Sequence, residues 1–234
     1  MKKIIIDMEE KKFKFSIAPV AIDIDECDVD KYYFTSDLHL NHKNILYYTE
    51  RYKLTSSKVK EEQVAELKEA LISNINSSIP PYAILVNCGD VMLSGLSSWE
   101  EDMDKINCKK HYVVLGNHDY QNILKKKNLS FEYNPDAKLQ FSNMIVFRIW
   151  RDSHLVRSFT VTHMPQEDFV GSFNIHGHLH TPKDIELLKD KCRDYSLMKK
   201  YSEDGKHHDC GVDRNNYRPV SLVEILENKT NIKI

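Results

Sequence analysis

The residues KYYFTSDLH, at positions 31–39, contain an abrupt change from strand-forming to polar side chains. Tyr32, Tyr33 and Phe34 favour an extended, half-buried backbone, so a buried strand is predicted over residues 31–36. Asp37 and His39 follow at once. The segment therefore predicts a strand whose carboxyl end carries side chains able to bind a metal ion or transfer a proton.

The same arrangement recurs four more times along the chain. In each case a predicted apolar strand is followed by a loop that carries Asp, Asn or His. These loops are Gly89-Asp90, Gly116-Asn117-His118-Asp119, Thr162-His163 and Gly177-His178-Leu179-His180. Ligands of open α/β sheets lie in the crevice outside the carboxyl ends of the strands, so the five loops are expected to converge on one site.

The first half of the chain alternates between strand and helix patterns. Residues 57–79 predict a helix, because Val64, Leu67 and Leu71 recur at helical spacing before Pro80. Short apolar runs at 83–86 and 112–115 predict strands, and a short helix is expected near 98–106. This alternation predicts an α/β fold with a parallel or mixed sheet.

The second half predicts mostly strands with little helix between them, which suggests a second sheet packed on the first. The predicted strands lie near residues 129–133, 144–149, 157–162, 172–176, 207–213 and 218–223. Residues 1–30 alternate around a turn and are interpreted as an N-terminal β-hairpin extension. No linker divides the chain, so residues 1–234 are expected to form a single domain.

The composition excludes several classes of protein. Lys and Arg number 33 against 35 Asp and Glu, so a formal net charge of −2 excludes a globally basic nucleic-acid coat. Five widely spaced cysteines argue against a disulfide scaffold or zinc finger. No segment reads as a secretory signal or a bilayer span, so a cytoplasmic protein with no membrane association is expected.

The donor atoms of the five loops indicate a metal site. The seven candidate ligands are Asp37, His39, Asp90, Asn117, His163, His178 and His180. Mixed carboxylate, imidazole and amide donors suit Mn, Fe, Zn, Ni or Co, and seven are enough for two divalent ions. If 37–39 and 178–180 are extended, alternate side chains face the metals and Leu38 and Leu179 face the core.

The ordered set DxH, GD, GNHD, H and GHxH resembles the calcineurin-like metallophosphoesterase superfamily. The resemblance implies a four-layer αββα sandwich of two mixed β-sheets flanked by helices. By the same resemblance, Asp37, His39 and His180 hold one ion, Asn117, His163 and His178 hold the other, and Asp90 bridges the two. It further implies that His118 acts as general acid or stabilises the phosphate charge, with Asp119 orienting its imidazole.

The activity implied is hydrolysis of phosphoesters by a metal-bridging hydroxide, without a covalent intermediate. Manganese is the favoured metal, and a phosphodiester is favoured over a monoester.

Leu93 stands where protein Ser/Thr phosphatases of the superfamily carry a further Asp, which argues against that branch. The chain is more similar to a small single-domain prokaryotic or phage branch, in which Gly commonly stands where this chain has Asn41. Asn tolerates the left-handed backbone better than most residues.

Other residues are open to two interpretations. His42, Asn44 and Arg51 are candidates for contact with a substrate phosphate, or else belong to a solvated loop. Cys88 is expected to be a packed core thiol. The substrate could be a nucleotide or nucleic acid, and a nuclease or a non-catalytic scaffold of the same fold remains open as an alternative. The sequence does not predict the oligomeric state.

Overall fold

The computed structural model describes residues 20–93, 96–119, 138–189 and 192–230, and within these ranges ten strands form two sheets of five. In sheet 1 the order is β10 (Val220–Ser221), β2 (Tyr32–Thr35), β3 (Ile84–Asn87), β4 (Lys110–Val114) and β5 (Leu139–Ser142). In sheet 2 the order is β1 (Val20–Asp25), β6 (Ile145–Arg151), β7 (His154–Val161), β8 (Asn174–His176) and β9 (His207–Asp209).

Both sheets are mixed. In sheet 1, β2, β3, β4 and β5 pair in parallel and β10 pairs antiparallel to β2. In sheet 2, β6 and β7 form an antiparallel pair, whereas the other three pairings are parallel. The carboxyl ends of β2, β3 and β4 therefore meet at one edge of sheet 1, and those of β7 and β8 meet at one edge of sheet 2.

Helices complete the layers. They are α1 (Ile45–Tyr48), α2 (Lys60–Ser78), α3 (Leu96–Asp104), α4 (Tyr195–Glu203) and α5 (Leu222–Thr230), with 3-10 turns at Glu26–Lys31, Arg51–Leu54 and Ile185–Leu188. The apolar face of α2, with Leu67 and Leu71, is buried against Leu85 and Val113 of sheet 1. On sheet 2, Tyr201 of α4 lies against His207, with ring centroids 4.2 Å apart.

The two sheets enclose an aromatic core. Phe34 of sheet 1 contacts Phe147 and Phe159 of sheet 2 edge-on, at centroid distances of 5.9 and 6.1 Å. Phe159 also stacks on Phe173 at 4.8 Å. All four rings are buried, and such aromatic pairs add to the burial of apolar surface. The predicted αββα sandwich of two mixed sheets is confirmed.

Several predicted elements differ from those observed. Residues 20–25 form β1, which pairs along its whole length with β6, so residues 20–30 are part of the main fold rather than an added hairpin. The hairpin predicted before residue 20 lies outside the described residues, as does the strand predicted at 129–133. The strand β5 and the helix α4 were not predicted.

The strand predicted at 218–223 is also wrong in its second half, because the chain turns into α5 at Leu222. Ser221 and Glu224 form a capping box there: the Glu224 carboxylate accepts the Ser221 amide at 2.9 Å, and the Ser221 hydroxyl accepts the Glu224 amide at 3.1 Å. The sequence pattern Ser-x-x-Glu at 221–224 therefore indicates where α5 begins. Of the helices in the described ranges, none has the length and apolarity that a bilayer crossing requires.

Candidate metal centre

The five predicted loops lie together at one edge of the sandwich, since each follows a strand whose carboxyl end faces that edge. Backbone hydrogen bonds join them: the amide of His39 donates to the Asp90 carbonyl at 2.9 Å, and the amide of Gly177 donates to the His163 carbonyl at 3.0 Å. The Asp37 carboxylate accepts the His178 amide at 2.9 Å and so joins sheet 1 to sheet 2.

Most of the candidate ligands occupy left-handed backbone. Positive φ angles occur at Asp37 (57°), His39 (48°), Asp90 (51°), His178 (72°) and His180 (50°). L-residues avoid this region, and when they adopt it they are concentrated at functional sites. The segments 37–39 and 178–180 are thus irregular, with left-handed backbone at alternate residues, and the expectation that they are extended is wrong. Leu38 and Leu179 are nevertheless buried, as predicted. Asn41 also has positive φ, at 64°, so it adopts the left-handed backbone at the position where the similar branch commonly has Gly.

Asp37, His39 and His180 form the first ligand group. Their donor atoms lie within 4.8 Å of one another. The Nε2 atoms of His39 and His180 are 3.1 Å apart, and Asp37 Oδ1 lies 3.9 Å from the latter. Burial lowers the pKa of His39 to about 2, so its imidazole is neutral and has a lone pair to offer.

Asp90, His163 and His178 form the second group, also with donor atoms within 4.8 Å of one another. His163 Nε2 lies 3.1 Å from His178 Nδ1, 3.1 Å from Asn117 Oδ1 and 3.4 Å from Asp90 Oδ2. Its Nδ1 is 2.9 Å from the Cys88 carbonyl, to which it donates, so Nε2 is the nitrogen that a metal ion would bind in place of a proton. Cys88 itself is completely buried, as expected of a core thiol.

Asp90 lies between the two groups. Its Oδ2 is 3.7 Å from His39 Nε2 in the first group and 3.4 Å from His163 Nε2 in the second. Although burial opposes ionisation, hydrogen bonding to His163 and the nearby imidazoles lower the pKa of Asp90 to about 2. An ionised carboxylate between two sets of imidazole nitrogens is the arrangement that a bridging ligand requires.

The donor set fits two divalent ions of the first transition series. Imidazole nitrogens 3.1 Å apart, with carboxylates beside them, are close enough to share an ion within each group. The centre also favours positive charge: against its burial, the carboxylates of Asp90 and Asp37 raise the pKa of His163 to about 9. Calcium, which prefers oxygen ligands alone, fits this set poorly.

His118 lies at the mouth of this centre. Its side chain is 36% exposed, and its Nε2 is 3.9 Å from Asp90 Oδ2. Its backbone amide donates to Asp90 Oδ1 at 2.9 Å, so the turn that carries the imidazole is anchored on the central carboxylate. The ring also packs 5.1 Å from that of His39. The imidazole is thus both close to the ligands and accessible to a bound molecule.

The hydrogen bonds of the Asp119 carboxylate come from backbone amides, and the orientation of the His118 imidazole by Asp119 stays a prediction. One carboxylate oxygen of Asp119 accepts the amide of Val91 at 2.9 Å, and the other accepts the amide of Gly116 at 3.0 Å. Burial raises the pKa of Asp119 to about 7, with these amides opposing the rise. Its carboxyl group therefore joins the loop after β4 to the loop after β3.

Arg51, predicted to contact a substrate phosphate, is completely buried and so has no surface to offer one. Its guanidinium donates to both oxygens of Asp213, at 2.8 and 2.7 Å, and to the carbonyls of Asp37 and Leu38, at 2.7 and 2.9 Å. Asp213 Oδ2 also lies 2.8 Å from His180 Nδ1. Arg51 thus holds the backbone of one ligand and, through Asp213, the ring of another.

Asp213 was not predicted as a site residue. Its contact with His180 Nδ1 keeps the proton on that nitrogen and leaves Nε2 for a metal. Against burial, Arg51 and His180 hold the pKa of Asp213 far below its usual range. A signal existed in the sequence, since Asp213 follows Gly211-Val212 at the end of a predicted strand, like the other loops.

The other two predicted substrate contacts lie in different surroundings. The His42 ring is 5.3 Å from His39 and 5.9 Å from His118, so the structure brings it to the centre. Asn44 is exposed, and its side-chain oxygen accepts Lys60 Nζ at 3.1 Å. Contact between Asn44 and a substrate stays a prediction.

Two glycines allow the loops to approach closely. A Cβ at Gly116 would lie 2.1 Å from Asp90 Oδ1, and one at Gly177 would lie 1.9 Å from Ser36 Oγ and 2.4 Å from Asp37 Oδ2. No side chain larger than hydrogen fits at either position without displacing a candidate ligand. The glycines of the GNHD and GHxH segments are therefore required by packing.

Comparison with known proteins supports the fold and identifies the family. No curated protein matches the chain. A solved structure, the protein of unknown function AQ665 from Aquifex aeolicus, is similar to it with a TM-score of 0.52 and 18% identity, over 83% of this chain and 96% of that one. At this identity the likeness shows the fold alone. The model of the calcineurin-like phosphoesterase family matches residues 31–221, which include all five loops. The chain therefore belongs to the calcineurin-like phosphoesterase family, whose members use divalent metals to hydrolyse phosphoesters.

Proposed function

We propose that the protein is a phosphodiesterase that works with two divalent metal ions, manganese being the favoured metal. The observation that carries the proposal is the pair of ligand groups that meet at Asp90. Asp37, His39 and His180 would hold one ion. Asn117, His163 and His178 would hold the other. When bound, such ions neutralise phosphate charge and lower the pKa of water, which supplies the nucleophile.

His118 is proposed as the general acid. Its Nε2 is 3.9 Å from the carboxylate proposed to bridge the ions, and its side chain remains partly exposed, so it can reach the oxygen that leaves phosphorus. Imidazole titrates near neutral pH, which suits it to donate a proton to an alkoxide leaving group. Because Asp119 accepts backbone amides, it would position the turn that carries His118.

The preference for a diester over a monoester is supported by the position of Arg51. A monoester dianion carries one more negative charge than a diester and is bound best where a free cation compensates it. The Arg51 guanidinium, the candidate for that compensating cation, is buried and paired with Asp213. The proposed centre has metal ions and imidazoles to neutralise a single negative charge.

The test is turnover of bis-p-nitrophenyl phosphate against p-nitrophenyl phosphate after reconstitution with manganese. Asp90→Asn should lose activity together with metal affinity. His118→Ala should retain two ions per chain and lose about 10²- to 10⁴-fold in kcat for the diester, as removal of a general acid does. An inactive wild-type protein that holds two ions would contradict the proposal and favour a non-catalytic scaffold.

A further inference from the structure

A group of exposed tyrosines lies beside the metal centre. Tyr47 and Tyr48 end α1, which follows the loop of Asp37 and His39, and Tyr52 lies in the next 3-10 turn. Their exposed fractions are 54%, 74% and 39%. Single exposed apolar residues are ordinary, but three aromatic rings within six residues beside a candidate active site suggest binding of a ligand.

The rings lead from the surface to the candidate ligands. Tyr48 lies edge-on to His42, with centroids 6.5 Å apart, and His42 lies 5.3 Å from His39 and 5.9 Å from His118. Two ring-to-ring contacts thus connect the exposed tyrosine with the candidate ligands.

In the described part of the chain, two further features of this region bear on ligand binding: an unpaired buried nitrogen of His42, and the difference in exposure between Tyr47 and Tyr48. His42 Nδ1 is buried and has no hydrogen-bond partner among the residues that the structure describes, although buried polar atoms are usually paired. Tyr47 is held in place, since its ring stacks on Tyr52 at 6.2 Å and its hydroxyl donates to Gln63 at 3.3 Å. Tyr48, by contrast, presents most of its ring to solvent.

We propose that Tyr48 and His42 form a subsite for the nucleoside of a phosphodiester substrate, with the base stacked on the Tyr48 ring. This inference rests on the proposed phosphodiesterase function and specifies its substrate class. Every base has a π-face, so an aromatic side chain binds nucleosides with little sequence preference. His42, whose ring lies between Tyr48 and His39, would contact the part of the nucleoside nearer the phosphate.

The charges near Tyr48 favour a single nucleoside ester or a short oligonucleotide over a long strand. A long strand requires a track of cations for its backbone. Two of the neighbouring lysines are already compensated, since Lys43 binds Glu61 at 2.8 Å and Lys53 is paired with Glu50. Lys60, which lies over the Tyr47 ring and donates to Asn44, is a single cation and does not make a track. The formal net charge of −2 agrees with this conclusion.

The test compares two esters that differ only in the nucleoside. Thymidine 5′-(p-nitrophenyl phosphate) and ethyl p-nitrophenyl phosphate release the same phenol, so any difference comes from the thymidine. In manganese-loaded protein, Tyr48→Ala should lower kcat/KM for the thymidine ester by about 5- to 100-fold, as loss of one stacking contact does. Turnover of the ethyl ester should change by less than twofold, and Tyr48→Phe should behave as wild type. Tyr82→Ala is the matched control, because Tyr82 is 56% exposed but precedes β3, at the end opposite to Asp90.

The result that overturns the proposal is an equal effect of Tyr48→Ala on both esters, or an effect on neither. A single-stranded oligothymidylate hydrolysed far better than the thymidine ester, with a steep dependence on salt, would overturn the preference for a short ligand. If neither ester is hydrolysed, the phosphodiesterase proposal fails. Equilibrium dialysis with thymidine 5′-monophosphate then tests the subsite alone: Tyr48→Ala must weaken its binding without weakening that of inorganic phosphate, and equal binding of the nucleotide by both proteins refutes the subsite.

Discussion

Asp213→Asn should weaken metal binding at the first ligand group, although Asp213 is not itself a proposed ligand. The wild-type carboxylate makes a charged, two-pronged pair with Arg51 and accepts the Nδ1 proton of His180. Asparagine has nearly the same shape, but in either orientation its amide group would face an N–H of Arg51, donor against donor, and in one of them it would also face His180 Nδ1. The substitution thus removes the charge and no longer fixes the His180 tautomer.

The magnitude follows from burial. Arg51 is completely buried and the Asp213 side chain is only 6% exposed, so the substitution leaves a buried cation without a counter-charge. Breaking such a pair costs about 3 to 5 kcal/mol. For a chain of this size, a loss of that order lowers Tm by roughly 6 to 20 °C. Loss of the hydrogen bond to a metal-binding imidazole further lowers metal affinity, typically by about 10- to 100-fold.

The assay is calorimetric titration with manganese at a temperature where the variant is folded, together with thermal unfolding of the metal-free protein. Asp23→Asn is the matched control, because Asp23 also makes a two-pronged pair with an arginine, Arg148, at 2.7 Å, but on an exposed surface. Exposed pairs contribute little, about 0 to 1 kcal/mol. The reasoning is refuted if Asp213→Asn binds two manganese ions with affinities within twofold of wild type, or if both variants unfold at the same temperature.

Three further predictions concern other parts of the molecule. Gly177→Ala should reduce manganese affinity at least tenfold, as loss of a ligand's support does, because the new methyl group would displace Asp37. Gly205→Ala is the control, since its methyl group would meet no atom of the described residues within 4 Å and should leave that affinity unchanged. Equal titrations of the two variants would disprove the packing argument. His111 is buried and its burial lowers its pKa from 6.5 to about 3, so the unfolded chain binds more protons between these values and stability falls as pH drops below 6.5. In urea unfolding, His111→Phe should remove about 2 kcal/mol of the stability loss between pH 7 and pH 5; an unchanged slope would assign that loss to other groups. Ser221→Ala removes the cap of α5 and should cost about 1 kcal/mol by the same measurement, whereas no change would show that the capping box is dispensable.

The sequence was sufficient to predict that the five loops meet, because each loop follows its own strand directly. Asp37 follows β2 and Asp90 follows β3, and parallel strands bring their carboxyl ends to one edge whatever their register. The backbone of the loops was not predictable in the same way. Asp37 and His39 adopt left-handed φ without being glycine, and such strain is imposed by the surrounding contacts rather than by local propensity.

Long-range pairing accounts for the other errors. Arg51 resembled a substrate-binding residue because it follows the first ligand loop, and its burial depends on Asp213, 162 residues later. The strand β1 was interpreted as part of a separate hairpin because its partner β6 begins only at Ile145. Nothing local to a segment identifies a partner so distant, whereas α5 did carry a local signal, the Ser221 to Glu224 capping box.

Each proposed ion would be held by both sheets, and this connects the centre to the core. In the first group, Asp37 and His39 follow a strand of sheet 1, whereas His180 follows a strand of sheet 2. In the second group, Asp90 follows a strand of sheet 1 and His163 follows a strand of sheet 2. The distance between donor atoms is therefore set by how the sheets pack, which is the role of the buried rings between them. Because ions that bind only the folded chain stabilise it, metal binding and the packing of the two sheets must be thermodynamically coupled. A substitution in the aromatic core, which contains no candidate ligand, is then expected to weaken both ion sites together, whereas a substitution in a single loop weakens the site of that loop.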